Sequence, residues 1–414
     1  MLKGNLVIAQ SGGPTAVINN SLAGAIEAAC ASEAIDEVIG ARNGVLGLLR
    51  EDFIDLGRVD PAVIRGLRYT PGAALGSCRC QLKDRNDYEK LLRIFRYHNI
   101  RYFLYIGGND SMDTAWKIDQ LAQREGYELR VIGVPKTIDN DLPLTDHCPG
   151  YGSAAKYLAT SVLEMGIDLR SIETSTKVVI VETMGRNTGW LAAATALARR
   201  QPGDAPHLIY MPEVAFDLEA FLADVEAAYH EYGTVLVVVS EGLVDREGNY
   251  VFSDALAVDQ FGHQRLGGLS QFLLSQVETH LRIKGRYILP ASSQRCASHL
   301  ASRVDAEEAY QVGRIAVEEA IGGKSGKMVA LRRLQGEEYA CAYELVDLDK
   351  VANQERKVPR QWINVAGNDV TSQFVDYARP LIEGEVQVAY RQGLPAYVDM
   401  EAYVRRSHRR NVAV

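Results

Sequence analysis

Directly after the apolar run 131–134 comes the stretch Pro135-Lys136-Thr137-Ile138-Asp139-Asn140-Asp141. The apolar run predicts a buried strand, and Pro135 predicts its end because proline cannot continue the hydrogen-bond ladder of a sheet. The loop that follows carries two carboxylates, a lysine and a hydroxyl, which suit proton abstraction, metal coordination and phosphate neutralisation in one place. For these seven residues taken alone, a polar turn capped by Asp139 or Asn140 is the alternative.

Length and composition indicate a globular protein with more than one lobe. The chain has 414 residues, of which 47% are hydrophobic and 24% are charged, so it can bury a sizeable core. No apolar run reaches the roughly 18 residues that a membrane span needs. Residues 1–5 predict the start of a strand rather than a signal peptide, and we therefore expect no membrane partner.

The net charge and the cysteines further limit the classes of protein that fit this sequence. A formal net charge of −8 disfavours nucleic acid as a partner, because the phosphate backbone attracts basic surfaces. The six cysteines are scattered and show no paired CxxC spacing, which disfavours a zinc site or a disulfide framework. The simplest expectation is a reduced, cytoplasmic enzyme.

Short β-branched runs alternate along the chain with amphipathic segments of helix length. This alternation predicts a mostly parallel sheet with helices on both faces. The predicted strands cover residues 6–9, 38–41, 102–106, 131–134, 178–181, 208–210 and 235–239. Ligands of such sheets bind beyond the carboxyl ends of the strands. The polar loops that should therefore converge on one crevice are 107–111, 135–141, 182–187 and 240–242.

Two glycine-containing loops are candidates for phosphate binding. Gly12 and Gly13 lie between the first strand and a predicted helix over 16–31, where small residues and a helix N-terminus favour an anion. A tight turn without a ligand is the alternative, and the sequence fits neither a Walker loop nor a GxGxxG fingerprint. In the second loop, 69–80, Arg79 is expected either to bind a phosphate or to be a solvated surface arginine.

Taken together, the polar loops carry motifs that resemble those of the phosphofructokinase family. The motifs are Ser11-Gly12-Gly13, Gly107 to Ser111, Thr137-Ile138-Asp139-Asn140-Asp141, Met184-Gly185-Arg186, Ser240-Glu241-Gly242 and Gln294-Arg295. The resemblance implies an α/β, two-lobed phosphofructokinase fold, with mostly parallel sheets covered by helices in three-layer lobes and an active site in the interlobe cleft. It implies a phosphoryl-donor lobe at 1–150 and a fructose 6-phosphate lobe at 151–320, with the chain crossing between lobes.

Within this family, the chain resembles the branch that uses pyrophosphate (diphosphate) at two positions. Lys136 stands where ATP-using members have a glycine before the TIDND motif, and Asp110 stands where they have a glycine after the first acid of the GGDG loop. An aspartate at 110 occupies the space of the α-phosphate of a nucleotide and repels that anion, while Lys136 neutralises pyrophosphate. The resemblance therefore implies pyrophosphate as the phosphoryl donor.

The implied reaction is reversible phosphoryl transfer from pyrophosphate to the C1 hydroxyl of fructose 6-phosphate. The products are fructose 1,6-bisphosphate and phosphate. By resemblance, Asp139 accepts the hydroxyl proton in one direction and returns it in the other. Thr137 is expected to help place the sugar, and Asp141 to hold the loop or to assist the metal and the charge balance.

The implied cofactor is Mg²⁺, with Asn109 and Asp110 as its expected protein ligands. The ion, Lys136 and the backbone at Gly13 would together stabilise the negative charge that develops on the transferred phosphoryl group. Asn109 is a departure, because most relatives have a magnesium-associated aspartate at that position. An amide oxygen is a weaker, uncharged ligand, so the ion is expected to be held through water, by Asp110, or mainly by the pyrophosphate itself.

A further set of residues is carried over from the resemblance as the fructose 6-phosphate site. These residues are Lys177, Met184, Gly185, Arg186, Glu241, Arg286 and Arg295. Lys177 stands where ATP-using relatives place an arginine that comes from a neighbouring subunit. The resemblance thus implies a shared active site in a homodimer or homotetramer. Ser292 stands where ATP-using relatives have a histidine near the sugar phosphate, which removes one acceptor contact.

Two other functions stay open at this level. One is an ATP-dependent 6-phosphofructokinase that tolerates Asp110, and the other is a non-catalytic sugar-phosphate-sensing subunit. Asn109 favours the sensor, whereas Asp139, Lys136 and Arg186 favour a catalyst.

Residues 321–414 show no chemical motif. Strands are predicted at 328–331 and 340–343, and residues 380–385 are expected to lead toward a helix. This C-terminal extension is expected to pack on the core, against the second lobe or as a subunit contact. The basic segment 405–410 predicts a solvated terminus, with an anion-binding tail as the alternative.

Overall fold

The structure, a computed structural model, describes residues 2–78, 80, 82, 84–252, 254–258, 264–336 and 338–400. The strands are β1 (Gly4–Gln10), β2 (Ile35–Ala41), β3 (Phe53–Asp55), β4 (Ile100–Gly107), β5 (Arg130–Pro135), β6 (Val178–Thr183), β7 (Leu208–Tyr210), β8 (Val235–Ser240), β9 (Asp254–Val258), β10 (Gln264–Arg265), β11 (Gly285–Ile288), β12 (Lys327–Arg333), β13 (Cys341–Asp347), β14 (Tyr390–Arg391) and β15 (Leu394–Pro395).

The helices surround these strands. They are α1 (Ile18–Cys30), α2 (Val45–Arg50), α3 (Pro61–Leu67), α4 (Arg85–Tyr97), α5 (Asn109–Arg124), α6 (Tyr151–Ser171), α7 (Trp190–Ala194), α8 (Leu218–Tyr232), α9 (Leu269–His280), α10 (Ser293–Cys296), α11 (Arg303–Ile321) and α12 (Ser372–Ala378). Within the described ranges, no helix is both long enough and apolar enough to span a membrane.

The first large sheet has seven strands in the order β13-β12-β5-β4-β1-β2-β3. Neighbours from β12 to β2 are parallel, and the edge strands β13 and β3 are antiparallel to their neighbours. Side chains of β1 alternate between two cores: Leu6 and Ile8 pack with α1 and α11, whereas Val7 and Ala9 pack with α4 and α5. Burial on both faces explains why these strands are continuous apolar runs.

The second large sheet has four parallel strands in the order β11-β6-β8-β7. Val178 and Ile180 of β6 pack on the side of α8 and α9, and Val179 and Val181 pack on the side of α6 and α7. Each large sheet is therefore the middle layer of three, as the alternation of strands and helices predicts.

The C-terminal extension is divided between the two sheets. Strands β12 and β13 extend the first sheet beside β5, whereas Val358, Ile363 and Phe374 join the core between the second sheet and α6. The segment was expected to pack on the core, against the second lobe or as a subunit contact, and in the structure it packs on both large sheets. The reason is that apolar strand residues such as Met328 and Val329, which are fully buried, complete the exposed edge that β5 would otherwise present.

One local expectation for the extension was wrong. Residues 380–385 do not lead into a helix, because α12 comes before them and Arg379–Ile382 forms a single 3₁₀ turn. Pro380 lies in the first turn after α12, where it ends the helical hydrogen-bond ladder. The basic segment 405–410 lies outside the described residues, and the lobe boundaries at 150 and 320 stay a proposal.

Candidate active site

A cleft of about 730 Å³ lies where the carboxyl ends of strands from both large sheets meet. Loops after β1, β4 and β5 form one wall, and loops after β6 and β8 form the other. The residues predicted for the site that line this cleft are Gly13, Asn109, Asp110, Lys136, Thr137, Asp139, Asp141, Met184, Gly185, Arg186, Glu241 and Arg295. The convergence of polar loops predicted from the sequence is thus observed in the structure.

The glycine turn after β1 and the lysine after β5 form the floor of the first wall. The side-chain nitrogen of Lys136 donates a hydrogen bond of 2.9 Å to the carbonyl oxygen of Gly13. Gly12 has a positive φ of 75°, and a Cβ added there would lie 3.0 Å from the same nitrogen. Lys136 is only 4% exposed, so its charge is held beside a turn where only small residues fit.

Helix α5 directs its N-terminus at the cleft. It begins at Asn109, immediately after Gly108, and Asp110 lies in its first turn; all three residues line the cleft. The sequence suggested the helix after Gly12 and Gly13, and α1 begins at Ile18, two residues later than predicted. The N–H groups and the dipole at the start of α5 are a second feature of this wall that favours an anion.

The loop that carries Asp139 is held in one shape by its own side chains. The amide N–H of Asp139 donates to Thr137 Oγ1 at 3.0 Å. Asn140 is fully buried, has a left-handed φ of 53°, and its Oδ1 accepts from the amide of Cys148 at 2.9 Å. The side chains of Thr137 and Asn140 therefore hold the loop that places Asp139 in the cleft, and the chemical role of the loop stays a prediction.

The acidic groups of the cleft have raised proton affinities. Burial and the nearby Glu241 carboxylate raise the pKa of Asp139 to about 6, although Lys136 and Arg295 act in the opposite direction. Burial and the charge of Asp139 raise the pKa of Asp141 to about 7. Asp139 therefore remains mostly ionised at neutral pH and can gain a proton without a large penalty.

The second wall is formed by the loops after β6 and β8. The amide of Met184 donates to Gln294 Oε1 at 3.1 Å, and Ser240 Oγ donates to the carbonyl oxygen of Gly185 at 2.6 Å. Gly185 has a φ of 130°, a conformation that favours glycine. These contacts fix the backbone on either side of Arg186 and Glu241, which both line the cleft.

Arg295 reaches from the second wall to the first. A Cβ added at Gly13 would lie 3.3 Å from Arg295 Nη1, so the guanidinium lies against the glycine turn. Arg295 also lowers the proton affinity of Asp139 through its charge. A cation in this position can contact an anion that lies between the walls.

Lys177 and Arg286 do not line the cleft of their own chain. Arg286 pairs with Val179 near the beginning of β6, and Lys177 directly precedes that strand, so both lie at the amino end of the second sheet. Arg286 lines a separate pocket of about 580 Å³ with Arg282 and Lys284. Arg79, the remaining predicted phosphate contact, lies outside the described residues.

Several residues that line the cleft were missed by the sequence analysis. They are Tyr105, Tyr250, Asn353 and Glu355. Asn187 also lines the cleft; it belongs to the loop 182–187 that was predicted to do so, although it was not named as a site residue. Asn353 and Glu355 belong to the C-terminal extension, where no motif indicated chemistry.

Comparison with known proteins gives the family. The profile of the family described as Phosphofructokinase matches residues 5–326. The chain belongs to the phosphofructokinase family. It is 48% identical over 407 residues to the pyrophosphate–fructose 6-phosphate 1-phosphotransferase of Xanthomonas campestris, covering 97% of each chain. It is 46% identical to the protein of that name from Halomonas elongata, covering 95% of this chain and 96% of the relative.

Solved structures agree with this phosphofructokinase assignment. The crystal structure of a pyrophosphate-dependent phosphofructokinase from Nitrosospira multiformis matches with a TM-score of 0.88 at 43% identity, covering 95% of each chain. The predicted family and the predicted α/β fold are therefore confirmed.

Proposed function

We propose that this phosphofructokinase transfers a phosphoryl group from pyrophosphate to the C1 hydroxyl of fructose 6-phosphate, reversibly, giving fructose 1,6-bisphosphate and phosphate. The observation that carries the proposal is the contact of Lys136 with Gly13, which puts a buried cation at the floor of the cleft. The relatives that are 46–48% identical over nearly the whole chain bear the name of this reaction.

Asp139 is the group that handles the proton. Asp139 lines the cleft, where its carboxylate interacts with the charges of Glu241 and Lys136. The hydrogen bond from its amide to Thr137 fixes the backbone that carries it. In the forward direction the carboxylate accepts the proton of the C1 hydroxyl as that oxygen attacks phosphorus. In the reverse direction the carboxylic acid returns the proton to the leaving oxygen.

The first wall selects and holds the donor. Lys136, the N-terminus of α5 and the glycine turn offer positive charge and backbone N–H groups to the two phosphates of pyrophosphate. Asp110 is an exposed carboxylate in the first turn of α5. A nucleotide would have to place its α-phosphate and ribose near this negative charge, which disfavours ATP.

The residues of this wall fit a Mg²⁺ ion that is shared with the donor. Both polar atoms of the Asn109 side chain and Oδ1 of Asp141 are buried without a hydrogen-bond partner. Over the described ranges, no group of three or more His, Cys, Asp or Glu side chains could hold a metal alone. This pattern suits Mg²⁺, which is usually bound by one or two protein oxygens together with substrate phosphates. When bound by Asn109 and Asp110, the ion supplies charge neutralisation for the transferred group.

The second wall receives the sugar phosphate. Glu241 offers carboxylate oxygens to the sugar hydroxyls, and Arg186 and Arg295 offer planar N–H donors to the 6-phosphate. Met184 and Gly185 shape the floor between them. Arg295 lies against both walls and therefore contributes to closing the cleft around the two substrates.

Lys177 and Arg286 are proposed to act on the site of a neighbouring subunit. Both lie at the opposite end of the second sheet from the cleft of their own chain, and Arg286 is exposed beside two further cations. A homodimer or homotetramer that places this surface at a neighbour's cleft would complete the 6-phosphate site. We also propose that the enzyme acts in the cytoplasm.

The test is a steady-state assay of fructose 1,6-bisphosphate formation with Mg²⁺, run separately with pyrophosphate and with ATP. Activity with pyrophosphate and none with ATP supports the proposal. Activity with ATP alone would overturn the choice of donor while leaving the reaction intact. No product with either donor would overturn the catalytic function and favour a sugar-phosphate sensor.

A further inference from the structure

The backbone that carries Asp139 is held by a residue more than two hundred positions away. Nε and Nη2 of Arg356 donate to the carbonyl oxygen of Asn140 at 3.3 and 3.0 Å. Nη1 donates to the carbonyl oxygen of Thr145 at 2.9 Å, and to that of Asp146. The amide of Arg356 itself donates to the carbonyl oxygen of Asp141 at 2.7 Å. The carbonyl oxygens of Asn140 and Asp141, the two residues that follow Asp139, therefore both accept hydrogen bonds from Arg356.

The guanidinium of Arg356 is itself fixed. It lies over the Trp190 indole, with its central carbon 4.6 Å from the ring centroid, and the indole N–H donates to the carbonyl oxygen of Arg356 at 3.0 Å. Tyr377, whose hydroxyl accepts from Asn140 Nδ2 at 2.9 Å, also accepts from Arg356 Nη2 at 3.3 Å. A planar donor held on both sides in this way has little freedom to move.

The residues just before Arg356 connect the two walls of the cleft. Asn353 Nδ2 donates to Asp113 Oδ1 at 3.0 Å, on the helix α5 whose first turn carries Asp110. Glu355 Oε1 accepts from Asn187 Nδ2 at 2.6 Å, on the loop that carries Arg186. Asn353 and Glu355 both line the cleft. The four residues 353–356, which we call the strap, therefore contact α5 of the first wall, the loop after β6 in the second wall, and the Asp139 loop, in that order.

We propose that the strap positions the proton acceptor, with Arg356 as the central positioning residue. The strap lies outside residues 5–326, which the family profile matches. Without the fork of Arg356, the peptide units after Asp139 lose their shared anchor, and the carboxylate samples orientations that do not face the attacking hydroxyl. Because reactivity depends steeply on alignment, the rate falls while substrate contacts made by other residues remain. The kinetic part of this inference rests on the proposed function.

The test compares the full-length chain with its Arg356→Lys and Arg360→Lys variants. Lysine keeps the charge but loses the planar fork. Arg360 is the matched control, because its guanidinium also donates to carbonyls of the extension, at 3.1 Å to Ile363 and 2.9 Å to Asn364. Its side-chain hydrogen bonds within the described residues all end on carbonyls of 363–365. Hydrogen–deuterium exchange of residues 137–148 and steady-state kinetics are measured on all three proteins.

The expected result for Arg356→Lys is roughly tenfold faster exchange in residues 137–148. We also expect a kcat about 10- to 100-fold lower, with the KM for fructose 6-phosphate within about twofold of the wild-type value. Arg360→Lys should change neither quantity. Unchanged exchange in 137–148, or a loss that appears in KM rather than kcat, would overturn the proposal.

A second variant covers the case in which Arg356→Lys does not fold, and the exchange measurement covers the case in which the chain has no activity. If Arg356→Lys does not fold, the double variant Asn353→Ala/Glu355→Gln replaces it, because both side chains are exposed. Faster exchange of 137–148 in this variant supports the strap, and unchanged exchange overturns it. If the wild-type chain has no activity with either phosphoryl donor, the proposed function fails, and the exchange measurement alone decides the role of the strap.

Discussion

The side-chain nitrogen of Lys136 lies 2.9 Å from the carbonyl oxygen of Gly13 and donates a hydrogen bond to it. The two residues follow different strands, β5 and β1, so this bond joins the loop that carries Asp139 to the glycine turn. It holds a buried positive charge in the cleft, where pyrophosphate is proposed to bind. The position of the Asp139 loop and that of the lysine proposed to select the donor therefore depend on each other.

The double variant Asp110→Gly/Lys136→Gly should change the choice of donor. Loss of the lysine removes charge-assisted hydrogen bonds, so kcat/KM for pyrophosphate should fall by about 10- to 100-fold. Loss of the aspartate removes the repulsion of a nucleotide, so some activity with ATP should appear. The KM for fructose 6-phosphate is the internal control. Unchanged kinetics with pyrophosphate would mean that the donor is selected elsewhere.

Asp139→Asn should abolish most of the turnover without harming the fold. An amide cannot accept the hydroxyl proton, so kcat should fall by about 100-fold or more, while fructose 6-phosphate still binds in a calorimetric titration. The exposed Asp36 on β2 provides the matched control, and Asp36→Asn should keep full activity. Near-normal turnover of Asp139→Asn would remove Asp139 as the proton acceptor.

The effect of Asp139→Asn on thermal stability should be larger at high pH than at low pH. The folded-state pKa of Asp139 is raised to about 6 from the ordinary 3.8, so the folded state binds the proton more tightly than the unfolded state. The cost of burying the charge is therefore present above pH 6 and disappears as the pH falls toward 3.8. Asp139→Asn should raise the Tm at pH 8 and have less effect at pH 4, as measured by calorimetry.

The two directions of the reaction should respond oppositely to pH. Because the pKa of Asp139 is raised to about 6, forward kcat should fall as the pH drops through about 6, where the carboxylate gains a proton. Reverse kcat should fall as the pH rises through the same range, because the acid form is then lost. Glu241→Gln removes a negative neighbour and should shift both limbs to lower pH. If the pH profiles of forward and reverse kcat do not shift in Glu241→Gln, a group other than Asp139 titrates.

A shared active site should allow two inactive variants to complement one another. Subunits with Arg286→Gln retain Asp139, and subunits with Asp139→Asn retain Arg286. If Arg286 acts on a neighbour's cleft, co-expression of the two variants should restore activity at mixed sites. Each variant expressed alone is the control. A co-expressed sample no more active than the separate variants would mean that Arg286 does not act on a neighbour's cleft.

Packing of the C-terminal extension should contribute strongly to stability. Phe374 is fully buried, and its ring centroid lies 6.2 Å from that of Trp190. Phe374→Ala should therefore cost about 3–5 kcal/mol in chemical denaturation. Val365 is 97% exposed in the same extension, and Val365→Ala should change stability by less than about 0.5 kcal/mol. Equal effects of the two substitutions would contradict the docking of this segment.

The sequence predicted those parts of the fold and site that depend on local patterns. Continuous apolar runs identified β1, β4, β5, β6 and β8, because strands buried on both faces must be apolar at every position. The loops that follow them were predicted to meet, since carboxyl ends of parallel strands share one edge. The family resemblance then supplied the roles of individual residues.

The remaining features depend on contacts that no local pattern encodes. Arg356 and Asn140 are separated by 216 residues, and neither periodicity nor composition around Arg356 indicates that it meets the catalytic loop. The start of α1 at Ile18 rather than near Ala16 is likewise set by packing, which decides where a helix can begin. The position of Lys177 and Arg286 follows from strand register, which depends on the whole sheet.

A donor competition followed by ³¹P nuclear magnetic resonance distinguishes pyrophosphate from ATP as the phosphoryl donor of this enzyme. Equal amounts of pyrophosphate and ATP are mixed in one tube with fructose 6-phosphate, Mg²⁺ and the full-length enzyme. We predict that the pyrophosphate signal decays while phosphate and a C1 phosphate ester appear, and that the ATP signals persist. Consumption of the γ-phosphate of ATP with pyrophosphate intact, or no sugar bisphosphate at all, would contradict the account.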